Sequence, residues 1–271
     1  KVKRRVTANN DTLSGNPVHS PNPLKAEARE QISRAVVEHS LDCGLIFDGD
    51  ADRSMFVDEK GEFVQPDYLI AAVAASTAEV RRADIPQKVK VIHDVRTSRG
   101  VIEEIARLGF EPVMVPVGHA FAKPALLKFG ALCGGELAGH YYFSEFFNCD
   151  SGVLAAIRIL SRILLSRKMG LSFSAMMKPV TGRYANSGEL NFSVDDKDAA
   201  VKRVLSAADA NFPAKVSQSD MDGIRIEYPD GWINIRKSNT EPYLRVIAEC
   251  SSSDVLNERL DVIRKAIDGA E

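Results

Sequence analysis

The chain is 271 residues long, 45% hydrophobic and 27% charged, with a formal net charge of -2 at pH 7. That usage excludes a disordered chain, a collagen and a coiled-coil rod, and the length calls for two or three domains. No basic excess exists to grip a nucleic-acid backbone, so no nucleic-acid partner is expected.

Residues 9–23 are rich in Asn, Ser, Pro and Gly and read as loop. Apolar Ile32, Ala35 and Val36 share one face of a helix predicted over 26–39. Cys43 to Phe47 reads as a buried strand that runs straight into Asp48-Gly-Asp-Ala-Asp-Arg53. Met55 to Val57 and Phe63-Val64 follow as a hairpin with Gly61 in its turn.

From Pro66 the pattern alternates. Helices are predicted over 67–82, 98–108, 121–129 and 151–167, with strands over 89–93 and 112–115 and another starting at 131–133. This alternation predicts an α/β domain whose sheet is mostly parallel. After about Gly170 the order changes: a strand over 189–194, a helix over 195–210, strands over 223–228, 232–236 and 244–250, and a closing helix over 253–267. That is an α+β module with an antiparallel sheet. The fold class expected is thus part of one α/β domain (1–65), a complete α/β domain with a mixed sheet (66–178) and an α+β domain (179–271).

Cys43, Cys133, Cys149 and Cys250 are scattered, without metal spacing, which favours a reducing cytoplasm. No apolar run is long enough to cross a bilayer, and Lys1 to Arg5 leads into polar residues rather than a signal-peptide core. His19, His39, His93 and Trp232 read as packing or surface residues.

Three loops could carry chemistry. Asp48, Asp50 and Asp52 suit a hard divalent cation. On a flat strand the outer pair would stand roughly 13 Å apart, so the chain must curl there. An EF-hand would need Gly where Arg53 stands; an acidic surface turn is the plainer alternative. Gly134-Gly-Glu-Leu-Ala-Gly-His140 sets a carboxylate and an imidazole among glycines, which allow a ligand close to the backbone. Glu136 could accept two sugar hydroxyls and His140 could shuttle a proton. Arg236-Lys-Ser-Asn-Thr-Glu-Pro-Tyr-Leu-Arg245 gathers cations and hydroxyls about one turn, the chemistry a phosphate dianion asks for.

In this order the loops resemble the α-D-phosphohexomutase superfamily, most closely its bacterial phosphomannomutase/phosphoglucomutase group. Asp48 to Arg53 matches the family's metal loop, Gly135 to His140 its Gly-Glu-x-Ser-Gly-His sugar loop except at Ala138, and Arg236 to Pro242 its phosphate loop. Val117-Gly-His-Ala120 looks like the segment carrying an active-site histidine, Asp94-Val-Arg96 like Asp-Val-Lys, and His19 to Pro23 like a stretch ahead of the metal loop. The family's catalytic phosphoserine loop, Thr-Ala-Ser-His-Asn-Pro, has no counterpart in these residues; Ser20-Pro-Asn-Pro23 belongs to the later segment. The resemblance implies a chain that begins inside the second of four domains, and an activity incomplete without the phosphoserine domain as partner.

It also implies a role for each motif. Mg2+ would sit on Asp48, Asp50 and Asp52, with Arg53 holding the transferred phosphoryl. Arg236, Ser238, Asn239, Thr240 and Arg245 would hold the non-reacting phosphate of a mannose or glucose 1- or 6-phosphate. Glu136 would bind sugar hydroxyls, and His119, His140 or Arg96 would move the proton. Ala138 removes one sugar hydrogen bond. A non-catalytic sugar-phosphate-binding module is the rival reading.

Overall fold

Three sheets follow one another along the chain in the computed structural model, which describes residues 6–8, 20–81, 89–238 and 241–269. Of the residues singled out by motif, His19, Asn239 and Thr240 lie outside those described.

Helix α1 (Ala26–Glu38) lies on a small antiparallel sheet of β1 (Gly44–Phe47), β2 (Ser54–Val57) and β3 (Phe63–Val64). The predicted helix from Asp67 begins as a 3-10 turn, Pro66–Leu69, because Pro66 fixes its entry, and continues as α2 (Ile70–Val80). There follow β4 (Lys90–Asp94), α3 (Arg99–Arg107), β5 (Glu111–Val115), α4 (His119–Phe129), β6 (Cys133–Gly135), β7 (Tyr141–Phe143), β8 (Cys149–Asp150), α5 (Gly152–Lys168) and α6 (Phe173–Thr181). The sheet order is β5-β4-β6-β7-β8. β4 is parallel to β5 and β6, whereas β6-β7 and β7-β8 are antiparallel. The sheet is therefore mixed and only its first half parallel. Residues 136–140 turn β6 back on itself, where a parallel continuation would need a crossover.

These two units share a core. Phe56 and Val64 of the first sheet pack in one cluster with Leu69, Ile70, Ile159 and Phe173. Serine side chains start three of the helices: Ser98, Ser151 and Ser172 accept from Gly100, Leu154 and Ala175 amides.

The last unit holds β9 (Ala185–Asn186), β10 (Leu190–Ser193), α7 (Lys197–Asn211), β11 (Ser217–Ser219), β12 (Ile224–Tyr228), β13 (Gly231–Lys237), β14 (Tyr243–Cys250) and α8 (Ser253–Asp268). Its path runs β10-β14-β13-β12-β11, with β9 also on β14, and all its pairs are antiparallel. Strand alternation divides β13 between two faces. Ile233 and Ile235 face α7 and α8 in a core with Val204 and Ile263. Trp232 faces the other way, packed with Leu137 of the second unit.

That opposite face is the joint between the second and third units. Arg225 stacks 3.8 Å over Trp232 and donates to the Val95 and Thr97 carbonyls. Arg99 donates to Glu227 at 2.6 Å and to the Tyr228 and Gly231 carbonyls at 3.0 Å. Glu249 accepts from the Arg99 amide at 2.7 Å and from the Trp232 indole at 2.8 Å. His93 is buried beside this joint and His39 is exposed, so neither lies among the loops described next.

Candidate active site

The acidic loop curls as its chemistry requires. Ala51 takes a left-handed φ of 60°, the cost of turning the strand end back on itself. Ligand oxygens of Asp48, Asp50 and Asp52 then lie within 4.8 Å of one another. Asp48 accepts from the Arg53 amide at 3.1 Å and from its Nε at 2.6 Å. Burial raises the Asp48 pKa, but the Arg53 bonds outweigh it and the net shift is down. Asp52 shifts up, through burial and then through its acidic neighbours. Its Oδ1 is buried without a hydrogen-bond partner. A hard cation would give that oxygen a partner and relieve the crowding of like charges, so the donor set fits Mg2+.

The acidic loop and the glycine-rich loop are stitched together by backbone. Arg53 and His140 form an antiparallel bridge, and the Ser54 amide donates to the Gly139 carbonyl at 3.3 Å. Gly139 has φ 93°, a conformation that L side chains rarely adopt, so the turn favours glycine there. Gly152 opens α5 against the same loop: its Cβ would lie 2.6 Å from the Ala51 carbonyl.

Glu136 directly follows β6 and is buried. Its Oε1 accepts from Tyr142 at 2.7 Å and from the Gly118 amide at 3.2 Å, while Oε2 stands 3.9 Å from Arg96. Burial first, then Asp94, push its pKa up against the opposing pull of Tyr142 and Arg96. Arg96 is buried against Asp94, which accepts from its amide at 2.6 Å and from its NH2 at 2.7 Å. Burial lowers the Arg96 pKa, but Asp94, Glu189 and Glu136 more than reverse this. A guanidinium held so firmly as a cation releases no proton. Of the three proton carriers suggested by sequence, Arg96 is therefore left with a fixed charge.

His140 Nδ1 lies 2.7 Å from Asp150 and 3.7 Å from Asp52. Burial lowers its pKa, but Asp150, Asp52 and Glu136 outweigh that and the net shift is up. Asp150 thereby fixes which ring nitrogen carries the proton, leaving Nε2 for exchange. His119 is exposed in the first turn of α4, within electrostatic range of Asp150.

On the last unit, Arg236 and Arg245 are directly opposite in the β13-β14 ladder. Like charges so placed repel. Glu189, just ahead of β10, answers both: its Oε2 lies 2.8 Å from Arg236 and its Oε1 3.5 Å from Arg245. The same carboxylate reaches Arg96 at 3.5 Å. Ser238 is buried at the turn; its amide donates to Tyr243 and its hydroxyl accepts from the Glu241 amide. Lys197 Nζ clamps the turn through the Ser238 and Glu241 carbonyls, at 2.6 and 2.7 Å.

Seven of the predicted residues, Asp48, Arg53, His140, Glu136, Arg96, Arg236 and Arg245, thus lie along one connected belt. Asp48 holds Arg53, Arg53 bridges to His140, His140 accepts from the Glu136 amide, and Glu136 meets Arg96. Arg96 meets Glu189, and Glu189 holds Arg236 and Arg245. Tyr142, Asp150, Glu189 and Asp222 were not singled out by sequence, and Asp94 entered only as the first residue of the Asp94-Val-Arg96 match. Asp222 accepts from the Val117 amide at 2.9 Å and lies 3.6 Å from Arg236, tying the His119 segment to the phosphate loop. Asp94 had a signal, being buried at the end of a strand next to Arg96; the others join through contacts distant in sequence.

Two α/β units and an antiparallel unit, joined by a belt of carboxylates and guanidiniums, define the class. The sequence matches the phosphoglucomutase/phosphomannomutase alpha/beta/alpha domain II over residues 5–61, alpha/beta/alpha domain III over 65–184 and C-terminal domain over 189–266. The chain belongs to this family and carries its domains II to IV. A phosphomannomutase of Vibrio cholerae is 36% identical over 249 residues, 91% of this chain and 51% of the relative. A phosphoglucomutase/phosphomannomutase family protein of Burkholderia thailandensis superposes with a TM-score of 0.76 at 27% identity, covering 94% of this chain and 52% of that one. The N-acetylphosphoglucosamine mutase of Aspergillus fumigatus, solved with GlcNAc-6P and magnesium, shares the fold at a TM-score of 0.58 and 17% identity, over 84% of this chain and 48% of that one. The chain spans about half the length of the curated relatives it matches.

Proposed function

We propose that these 271 residues form the metal-, sugar- and phosphate-binding part of a phosphohexomutase. It would interconvert mannose or glucose 1- and 6-phosphates through a bisphosphate, with the phosphoserine supplied from outside them. The observation that carries this reading is the belt itself: three loops far apart in sequence meet through the Arg53-His140 bridge, Glu136, Arg96 and Glu189.

In the first half-reaction the phosphoserine's P–O bond breaks and a free sugar hydroxyl takes the phosphoryl. The hydroxyl's proton goes to His140 Nε2, whose raised pKa favours taking it, and the departing serine oxygen takes up a proton in the same half-reaction; in the reverse transfer the serine hydroxyl gives its proton up as it accepts the phosphoryl, and the other sugar oxygen receives one. Asp48, Asp50 and Asp52 would hold Mg2+, which when bound supplies positive charge against the phosphoryl oxygens. Arg53 adds a second cation beside them. Arg236, Ser238, Asn239, Thr240 and Arg245 hold the other phosphate and so place the reacting hydroxyl. Oε2 of Glu136, the less committed oxygen, accepts a sugar hydroxyl. His119 is the second proton carrier, at the mouth of the same region.

Adding mannose 6-phosphate to the chain should shift NMR signals between Arg236 and Arg245, and Arg245→Ala should abolish most of the binding. Shifts elsewhere but not in that turn would overturn the phosphate assignment. With no covalent carrier among its residues, the chain by itself should give no turnover with Mg2+ and a bisphosphate activator. Turnover by a mass-verified sample would demand a different nucleophile.

A further inference from the structure

Three guanidiniums from two domains converge on one carboxylate. Arg96 comes from the loop after β4, Arg236 and Arg245 from facing positions of β13 and β14, and Glu189 lies between them at 3.5, 2.8 and 3.5 Å. Each arginine also has a counter-charge of its own: Asp94 for Arg96 at 2.7 Å, Asp222 for Arg236 at 3.6 Å and Glu241 for Arg245 at 3.0 Å. Glu189 is the group all three share. Without it, Arg236 and Arg245 would face each other across the ladder with no anion between them.

Two kinds of anion can occupy such a position, a carboxylate from the chain or a phosphate from a ligand. They cannot share it cheaply, because a phosphate dianion drawn to Arg236 and Arg245 would meet the Glu189 charge on the same guanidiniums. Arg245 also keeps a buried Nε without a hydrogen-bond partner, so the fork is not fully used by the carboxylates around it. Glu189 sits at the start of an edge strand and is partly exposed, which leaves it free to change rotamer.

We propose that Glu189 is a built-in competitor for the phosphate site. It occupies the arginine cluster when no phosphate is there, gives way when one binds, and keeps the affinity moderate. Moderate affinity suits a site whose ligand must leave and re-enter in a second orientation. This rests on the reading that Arg236 and Arg245 hold the substrate phosphate. A plain ion pair that merely braces the arginines would act in the opposite direction, since its loss would disorder the fork and weaken binding.

The test is calorimetric titration of inorganic phosphate and of glucose 6-phosphate into the full chain, as wild type, Glu189→Gln, Glu189→Asp and Arg245→Ala. Removing one like charge near the dianion should tighten Kd roughly tenfold in Glu189→Gln. Glu189→Asp keeps the charge but withdraws it by one methylene, so its Kd should fall between Glu189→Gln and wild type. Phosphate should also raise the melting temperature of Glu189→Gln more than that of wild type, although the unliganded variant melts lower. If Glu189→Gln does not fold, the Glu189→Asp affinity decides. Unchanged or weaker binding in the glutamate variants, with Arg245→Ala still deficient, overturns the competitor and leaves the phosphate site intact. Binding that Arg245→Ala leaves untouched overturns both.

Discussion

The two ends of the belt are charged in opposite senses. At the acidic loop, three carboxylates share one close guanidinium, and Asp52 keeps a buried oxygen with no partner. At the phosphate loop, three guanidiniums share Glu189. The first cluster leaves surplus negative charge for a cation to complete. The second is already neutralised from within, so an incoming anion must displace something. On the proposed reading, a metal would add to surplus negative charge, whereas a phosphate would exchange with Glu189. Arg96 stands between them, touching Glu136 on one side and Glu189 on the other.

Breaking the middle should have the largest effect. Arg96→Ala strands Asp94, a fully buried carboxylate that also accepts from the Leu137 amide. Leaving one member of a buried pair uncompensated costs about 3–5 kcal/mol. Urea unfolding should show that loss, and a loss below 1 kcal/mol would mean the pair is not what links the two ends. Arg245→Ala comes next and probes the exchange end alone. Charge-assisted contacts are worth roughly 1.5–3 kcal/mol, so hexose-phosphate affinity should drop about ten- to a hundredfold while stability changes little. An equal loss of stability would show that the arginine serves the fold rather than the ligand.

Periodicity exposed the contrast only in part. Long elements such as α5, α7, α8 and the β12-β13-β14 strands lie where apolar spacing predicts them. Short ones do not: β7, β8, β9 and β11 are two or three residues long, too short for a periodic signal, and are fixed by pairing, β9 with distant β14 and the others with neighbouring strands. Helix α6 was missed as well; Pro179 inside it argues against a helix, yet Ser172 caps its start and Glu59 binds its first turn. The motif residues were legible because their chemistry is unusual at close spacing. Their partners were not. Glu189 is an ordinary glutamate ahead of a strand until the ladder sets Arg236 against Arg245, and Asp150 an ordinary aspartate until β8 folds back beside His140.

Asp50→Asn tests the acidic end more gently. Asp50 is exposed, so its loss should leave the fold intact. Mg2+ affinity, weak already because this ion keeps several waters, should fall roughly fivefold by calorimetry for the loss of one of three charges. Equal affinity in both proteins would leave the loop as an acidic turn and erase the contrast with the phosphate end.

The smallest effect concerns how each end is anchored. Domain II is tied to domain III by a carboxylate: Glu59 accepts from the Ser174 amide at 3.0 Å and its hydroxyl at 2.5 Å. Burial pushes the Glu59 pKa up, but the Ser174 and Ser172 bonds win and bring it down to about 2. The sign follows from linkage. A carboxylate more acidic when folded contributes fully above its unfolded value, near 4.3 for glutamate, and loses that contribution as pH falls through about 2. With solvent screening, about 1 kcal/mol is at stake. The joint between domains III and IV relies in part on main-chain carbonyls of residues 95, 97, 228 and 231, which acid does not protonate. Between pH 4 and pH 2, hydrogen exchange at the Ser174 amide should therefore accelerate ahead of exchange across the Arg225 joint. Glu59→Gln should remove that lead, because its amide does not titrate. If both joints loosen together in the wild type, or the lead persists in Glu59→Gln, then the Glu59 carboxylate is not the acid-sensitive tie.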